Sequence, residues 1–175
     1  GPQRCGPVLF MASPAHTSYH ASIMASEFEL IRQHFTRAGR HTDLGVGDDA
    51  ALFAPAAGMQ LAVSTDMLVE GTHFLPDTDA GDLGWKTLAV NVSDIAAMGA
   101  TPRWGLLALA LPAADEAWIA AFARGLFDCA AAFGVDLVGG DTTRGPRTLA
   151  VTIFGEVPRG RAITRSGAAV GDEVW

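Results

Sequence analysis

Trp104-Gly105-Leu106-Leu107-Ala108-Leu109-Ala110-Leu111 decides the fold. The run is almost wholly apolar, and Pro112 breaks it. Such a run reads as a strand at the centre of a sheet. On its amino-terminal side, Asp82 to Met98 carries Leu83, Leu88, Val90 and Ile95, and Gly99 follows. This is a long helix that Asp82 is expected to cap. On the other side, Asp115 opens a second long helix that runs through Phe133 and ends at Gly134.

Further out, Gln60 to Met67 has strand character and contains the polar trio Ser64-Thr65-Asp66, and Val69 to Phe74 is expected to stay extended. Val135 to Val138 is a short strand running into the turn-like Gly139-Gly140-Asp141-Thr142-Thr143. Thr148 to Val157 is another strand, turned by Pro158 and Gly160. Ser26-Glu27-Phe28-Glu29 has the form of a capping box, and Phe28, Leu30, Ile31 and Phe35 predict a helix over 26–38, stopped by Gly39. Gly45 to Phe53 reads as a glycine-bent turn entering a short strand. The order of elements suits an α+β fold: a mainly antiparallel sheet with helices on one face. Leaving an apolar sheet face in water costs about 25 cal/mol per Å². A partner subunit or second domain is therefore expected to cover it.

The chain has 175 residues, 49% of them hydrophobic and 18% charged, which describes a globular domain and excludes a disordered one. Nineteen acidic residues against 12 basic ones give a net charge of −7, the wrong sign for a nucleic-acid surface. No apolar run approaches the ~20 residues of a membrane span. Cys5 and Cys129 have neither zinc spacing nor a disulfide framework, and read as free thiols in a reducing cytoplasm. Residues 1–25 are read as a poorly ordered extension, in which Gly1-Pro2 has the form of a tag-removal scar and Met24 that of a natural start.

Several aspartates stand where local rules disfavour them. Asp48 and Asp49 run directly into Ala50-Ala51-Leu52-Phe53, and Asp66 ends an apolar strand. Asp94 lies inside a helix near Asn91 and Ser93, and Asp141 follows two glycines. Singly, each reads as a turn or cap. Together they suggest carboxylates that would repel one another without a cation between them. Asp49, Ser64, Thr65, Asp66, Asp94 and Asp141 offer only oxygen, the donor set of Mg²⁺. The sequence has no Gly-x-x-x-x-Gly-Lys-Ser/Thr loop, and its one lysine, Lys86, lies in a helix, so the P-loop and protein-kinase schemes are excluded. Gly139 to Gly145 could let backbone N–H groups approach phosphate, and Arg165 is either a phosphate partner or a solvated loop residue. His73 could be a ligand, a base or a core histidine.

The strings Ser26 to Ile31, Gly47 to Ala51, Ser64 to Phe74, Leu88 to Ala100, Gly139 to Gly145 and Arg161 to Ala168 occur in that order. In this the chain resembles the amino-terminal part of bacterial thiamine-monophosphate kinase, within the aminoimidazole-ribonucleotide-synthetase-like superfamily. The resemblance implies ATP-dependent phosphorylation of thiamine monophosphate to thiamine diphosphate, assisted by several Mg²⁺ ions and with no general base. It implies that Asp49, Ser64, Thr65, Asp66, Asp94 and Asp141 bind metal. Gly140, Asp141 and Arg165 would contact ATP, and His73 the thiamine phosphate. It further implies a cytoplasmic homodimer in which the sheets pair into a barrel. By the same resemblance, 26–160 would be the ATP- and magnesium-binding and dimerisation domain. Residues 161–175 would be a linker and the start of a truncated second domain, leaving the fragment with little turnover of its own. Two alternatives stand beside this: another ATP-using enzyme of the superfamily, of the aminoimidazole-ribonucleotide or selenophosphate synthetase type, and a non-catalytic dimerisation or cation-binding module.

Overall fold

In the computed structural model, which describes residues 27–173, the chain opens with the short helix α1 (Glu27–Leu30), continued by a π-helical turn over Ile31–Phe35. Ser26, the expected cap, lies outside the described residues, as do residues 1–25 and Cys5. The helical segment ends at Thr36, which is already extended, and not at Gly39. Gly39 serves a different purpose: a Cβ there would stand 2.9 Å from a carboxylate oxygen of Asp136.

Strand β1 (Met59–Val69) leads to helix α2 (Ala80–Ala97), strand β2 (Thr101–Leu111), helix α3 (Glu116–Phe133), strand β3 (Asp136–Arg144) and strand β4 (Thr148–Pro158). Asp79, three residues before the expected Asp82, caps α2 by accepting the Asp82 N–H at 3.0 Å. Asp115 caps α3 by accepting from the Trp118 N–H at 3.1 Å, and Gly134 ends α3 in the left-handed region.

The sheet has four strands in the order β1-β4-β2-β3. β4 pairs antiparallel with both β1 and β2, whereas β2 and β3 run parallel and are joined by α3, the crossover that a parallel pair requires. Gly139 to Arg144, read from sequence as a turn, are strand. Val69 to Phe74, read as extended, instead contain a tight turn at Gly71, whose φ of 79° suits glycine.

The α+β layering is present, but closure into a barrel is not. The sheet is open, with β1 and β3 as its edges. Three strand spacings, about 14 Å, separate those edges, too far for the ladder to close on itself.

Leu68, Leu107, Leu109, Leu149, Val151 and Ile153 are buried on one face, against α2 and α3. On that side Cys129 is a free, fully buried thiol, which burial pushes up to about 11. The helices pack at glycine contacts: a Cβ on Gly125 would fall 1.8 Å from the Gly81 carbonyl oxygen, and one on Gly84 would fall 2.0 Å from that of Phe122. The opposite sheet face keeps Val63 and Met67 each 57% exposed. Among the described residues, one end of this face is covered where Phe53 stacks on Trp104 at 4.5 Å and meets Phe154 edge-on at 5.4 Å.

Candidate functional site

The loop from Gly39 to Pro55 crosses the end of the sheet and is tied down by two buried carboxylates. One oxygen of Asp136 accepts from the N–H groups of Arg40 (2.7 Å) and His41 (2.6 Å) and from the Thr42 hydroxyl (2.9 Å). Burial pushes this carboxyl up, but the hydrogen bonds together outweigh it and hold it below the usual carboxylate range. Glu156 accepts from the Ala56 N–H at 2.6 Å and from Arg103 at 2.9 Å. The Ala56 bond is the main reason its carboxyl is also depressed, against the opposing effect of burial. The Trp104 indole N–H donates to the His41 carbonyl at 2.9 Å, which closes the network.

This anchored loop forms one wall of a cleft of about 920 Å³ along edge strand β3. Asp48 and Asp49 line it from the loop, Gly140 and Asp141 from β3, and Ile31 and Phe35 from the amino-terminal helical segment. Asp49 donates its backbone N–H to the Asp48 carboxylate at 2.8 Å. Gly140 is dictated by packing as well as by any ligand. Its φ is 149°, and a Cβ there would stand 1.8 Å from the Leu107 carbonyl oxygen.

A second cluster forms where β1 meets α2. The Ser64 hydroxyl donates to the Asp94 carboxylate at 2.6 Å, and the Asp66 N–H donates to the side-chain carbonyl of buried Asn91 at 3.0 Å. Asn91 and Asp94 are three residues apart, on one stripe of α2. Thr65 points to the opposite sheet face, where its hydroxyl donates to the Val151 carbonyl at 3.0 Å and accepts from Thr152 at 3.1 Å.

The predicted ligands therefore fall into groups. Asp49 and Asp141 share the cleft, Ser64 and Asp94 touch directly, and Asp66 stands beside Asn91. In the sheet register Asp66, Val151, Leu107 and Gly140 lie in one row, which puts Asp66 and Gly140 on opposite edges. Among the described residues, no group of three or more His, Cys, Asp or Glu side chains is close enough to hold a metal ion. The donor chemistry still suits a hard cation, since every side chain in both groups presents oxygen. His73 sits in the turn after β1, outside both groups. Arg165 lies in a short 3₁₀ turn (Arg165–Gly167), on a segment that the Ile163 N–H ties to the Met98 carbonyl at the end of α2.

Sequence reasoning overlooked Asp136 and Glu156, and noted Asn91 only as a neighbour of Asp94 and not as the partner of Asp66. Glu156 carried a usable signal, as the one acidic residue of the mostly apolar β4, and Asp136 a weaker one, between apolar Val135 and Leu137; a carboxylate so placed must find partners when buried.

The family described as "AIR synthase related protein, N-terminal domain" matches residues 47–157. The chain belongs to this family. The match takes in the part of the loop that carries Asp48 and Asp49, the β3 side of the cleft and the β1–α2 cluster. The chain is also 52% identical over 152 residues to thiamine-monophosphate kinase of Escherichia coli K12, covering 85% of this chain and 47% of that protein. The crystal structure of thiamine-monophosphate kinase from Stenotrophomonas maltophilia K279a matches with a TM-score of 0.69 and 50% identity, over 82% of this chain and 45% of that one. The structure of AaThiL complexed with AMPPCP and TMP matches with a TM-score of 0.63 and 32% identity, over 68% of this chain and 38% of that one. The chain thus spans about half the length of the curated relatives it matches. Among the described residues of this family member, no helix is long and apolar enough to cross a membrane.

Proposed function

We propose that the protein containing this chain transfers the terminal phosphoryl group of ATP to the phosphate of thiamine monophosphate, giving thiamine diphosphate and ADP. The observation that carries the reading is the 52% identity over 152 residues to a thiamine-monophosphate kinase, a stretch that covers 85% of the chain. A related structure complexed with AMPPCP and TMP supports the same substrate pair.

The chemistry fits these side chains. The acceptor is a phosphate monoester oxygen, and with a second pKa of ~6 it is largely ionised at pH 7. No side chain needs to remove a proton. The obstacle is the approach of two anions, and positioning together with charge compensation lowers it. In this proposal the side chains of Asp49, Ser64, Asp66, Asp94 and Asp141 hold Mg²⁺, which when bound supplies that compensation, and Thr65, whose hydroxyl is engaged on the opposite sheet face, would join them through its backbone carbonyl. Gly140 and Asp141, which line the cleft, and Arg165 receive ATP, and His73 contacts the thiamine phosphate. The Asp136 and Glu156 anchors fix the loop that carries Asp49.

A cytoplasmic homodimer belongs to the same proposal. It is supported by the exposed Val63 and Met67 and by the separation of Asp66 from Asp141 within one chain. Residues 26–160 would act as the ATP- and magnesium-binding unit, and 161–175 as a linker to further chain.

The test is an activity panel on the gene product that contains this chain. ATP consumption is expected with thiamine monophosphate, and not with aminoimidazole-ribonucleotide or selenophosphate synthetase substrates. Asp94→Asn should lower turnover and change its magnesium dependence. Activity only with another substrate would overturn the reading, and an unaltered Asp94→Asn would remove Asp94 from the ligand set.

A further inference from the structure

The turn after β1 is built more rigidly than its exposure requires. The Val69 N–H donates to Nδ1 of His73 at 3.0 Å, while the His73 N–H returns a bond to the Val69 carbonyl at 2.9 Å. A backbone N–H can only donate. Nδ1 must therefore carry the lone pair, and in the neutral ring the proton is on Nε2. A ring fixed in this way offers one outward group, an N–H donor. It can hydrogen-bond a phosphate oxygen, and it cannot accept a proton at that nitrogen.

Three further groups hold the turn. Lys86, from α2, donates its ammonium to the His73 carbonyl at 2.6 Å. Glu70, at the base of the turn, donates its N–H to the Arg147 carbonyl at 3.2 Å, and its carboxylate pairs with the Arg147 guanidinium. That guanidinium lies over the Trp118 ring, 4.9 Å from its centroid, and Trp118 is in turn stacked on Phe122 of α3. The turn is thus braced against α2, α3 and the β3–β4 connection.

We propose that Lys86, Glu70 and Arg147 are positioning residues that hold His73 as a fixed Nε2–H donor aimed at the phosphate of the acceptor substrate. The proposal rests on the reading of His73 as a thiamine-phosphate contact and adds its protonation form and the groups that impose it. Lys86 also places a cation beside the incoming anion, so its role is both geometric and electrostatic.

Long-range ¹H–¹⁵N NMR of the ¹⁵N-labelled gene product that contains this chain tests this, with His73→Gln used to identify the His73 signals. An unprotonated Nδ1 and a protonated Nε2 are expected, with thiamine monophosphate shifting the Nε2 pair. Lys86→Met and Arg147→Met should each mix the two ring forms and weaken thiamine monophosphate binding by about tenfold, the scale of one lost charge-assisted hydrogen bond. Lys86→Arg should restore the single form. Lys86→Met removes only an exposed side chain, so it remains informative if Arg147→Met fails to fold. A protonated Nδ1 in the parent chain, or an unchanged ring form in Lys86→Met, would overturn the positioning role even if the ligand binds. A fixed ring that responds to neither thiamine monophosphate nor inorganic phosphate would overturn the phosphate assignment, and with it the substrate reading of His73.

Discussion

Replacing Asp136 with alanine should detach the loop that walls the cleft. In the parent chain one carboxylate oxygen receives hydrogen bonds from Arg40, His41 and Thr42, all between 2.6 and 2.9 Å, and the residue is only 7% exposed. Alanine would leave those donors facing an apolar methyl. An unsatisfied buried donor costs about 1–3 kcal/mol. Because the loop can swing partly into water, about 3 kcal/mol is expected for the group and not the full sum. For a chain of this size 1 kcal/mol moves the melting midpoint by about 2–4 °C, so a fall of about 6–12 °C is predicted. Thermal unfolding followed by circular dichroism measures it, with Asp77→Ala in an exposed loop as the control. Trp104 gives an independent readout: its indole is bonded to the His41 carbonyl and stacked under Phe53, so its fluorescence should shift towards that of a hydrated indole. Asp136→Asn keeps an acceptor oxygen and should recover part of the loss. A midpoint for Asp136→Ala no lower than that of Asp77→Ala, with unchanged Trp104 emission, would refute the anchoring role.

Glu156→Gln keeps the shape but removes the charge that pairs with Arg103, and should cost about 1.5–3 kcal/mol by denaturant titration. The folded carboxyls of Asp136 and Glu156 lie below their ordinary values of 3.8 and 4.5. Each therefore contributes stability that is present above its ordinary value and is lost as pH falls through the depressed one. A urea series across that acid range should show the loss in the parent chain and a shallower one in Glu156→Gln. Gly125→Ala puts a methyl 1.8 Å from the Gly81 carbonyl, so the helices must part, at about 1–3 kcal/mol; a melting midpoint equal to the parent's would show that α2 and α3 approach less closely. Met67→Lys, on the exposed sheet face, should leave the midpoint within a few degrees of the parent's. In sedimentation it should shift a homodimer towards monomer, and an unaltered distribution would place the dimer contact elsewhere. Calorimetric titration of Mg²⁺ with a non-hydrolysable ATP analogue should lose heat on Asp141→Asn, and an unchanged isotherm would remove Asp141 from the ligand set.

What could be read from the sequence divides along the range of the forces involved. The long helices and the central strand were legible because their signals are local. Caps, terminal glycines and apolar spacing act within a turn or two, and Asp115, Gly134 and Trp104–Leu111 behave as those rules require. Barrel closure was not legible, because it depends on which strands pair, and nothing in Met59–Val69 or Asp136–Arg144 records that they end on opposite edges. The glycines of Gly139-Gly140 misled for a related reason. A glycine pair favours a turn in isolation, yet Gly140 is needed so that β3 can pass the Leu107 carbonyl within a continuous strand. The same holds for the candidate site. Unusual placement singled out Asp49, Asp94 and Asp141 as residues to watch, but placement cannot say which of them meet. The structure answers that through the sheet row running from Asp66 to Gly140, which puts the two acidic groups three strands apart. Any account of phosphoryl transfer by this domain must therefore bring two edges of the sheet to one substrate pair. On the proposed reading, a single chain of this fold would supply only one edge to each side of such a site, and a second copy or further polypeptide would have a geometric part in the chemistry. Mixing Asp49→Asn and Asp66→Asn variants of the active gene product tests this. Activity above that of either variant alone would mean the edges of different chains cooperate, and activity no higher than either would mean that each chain completes its own site.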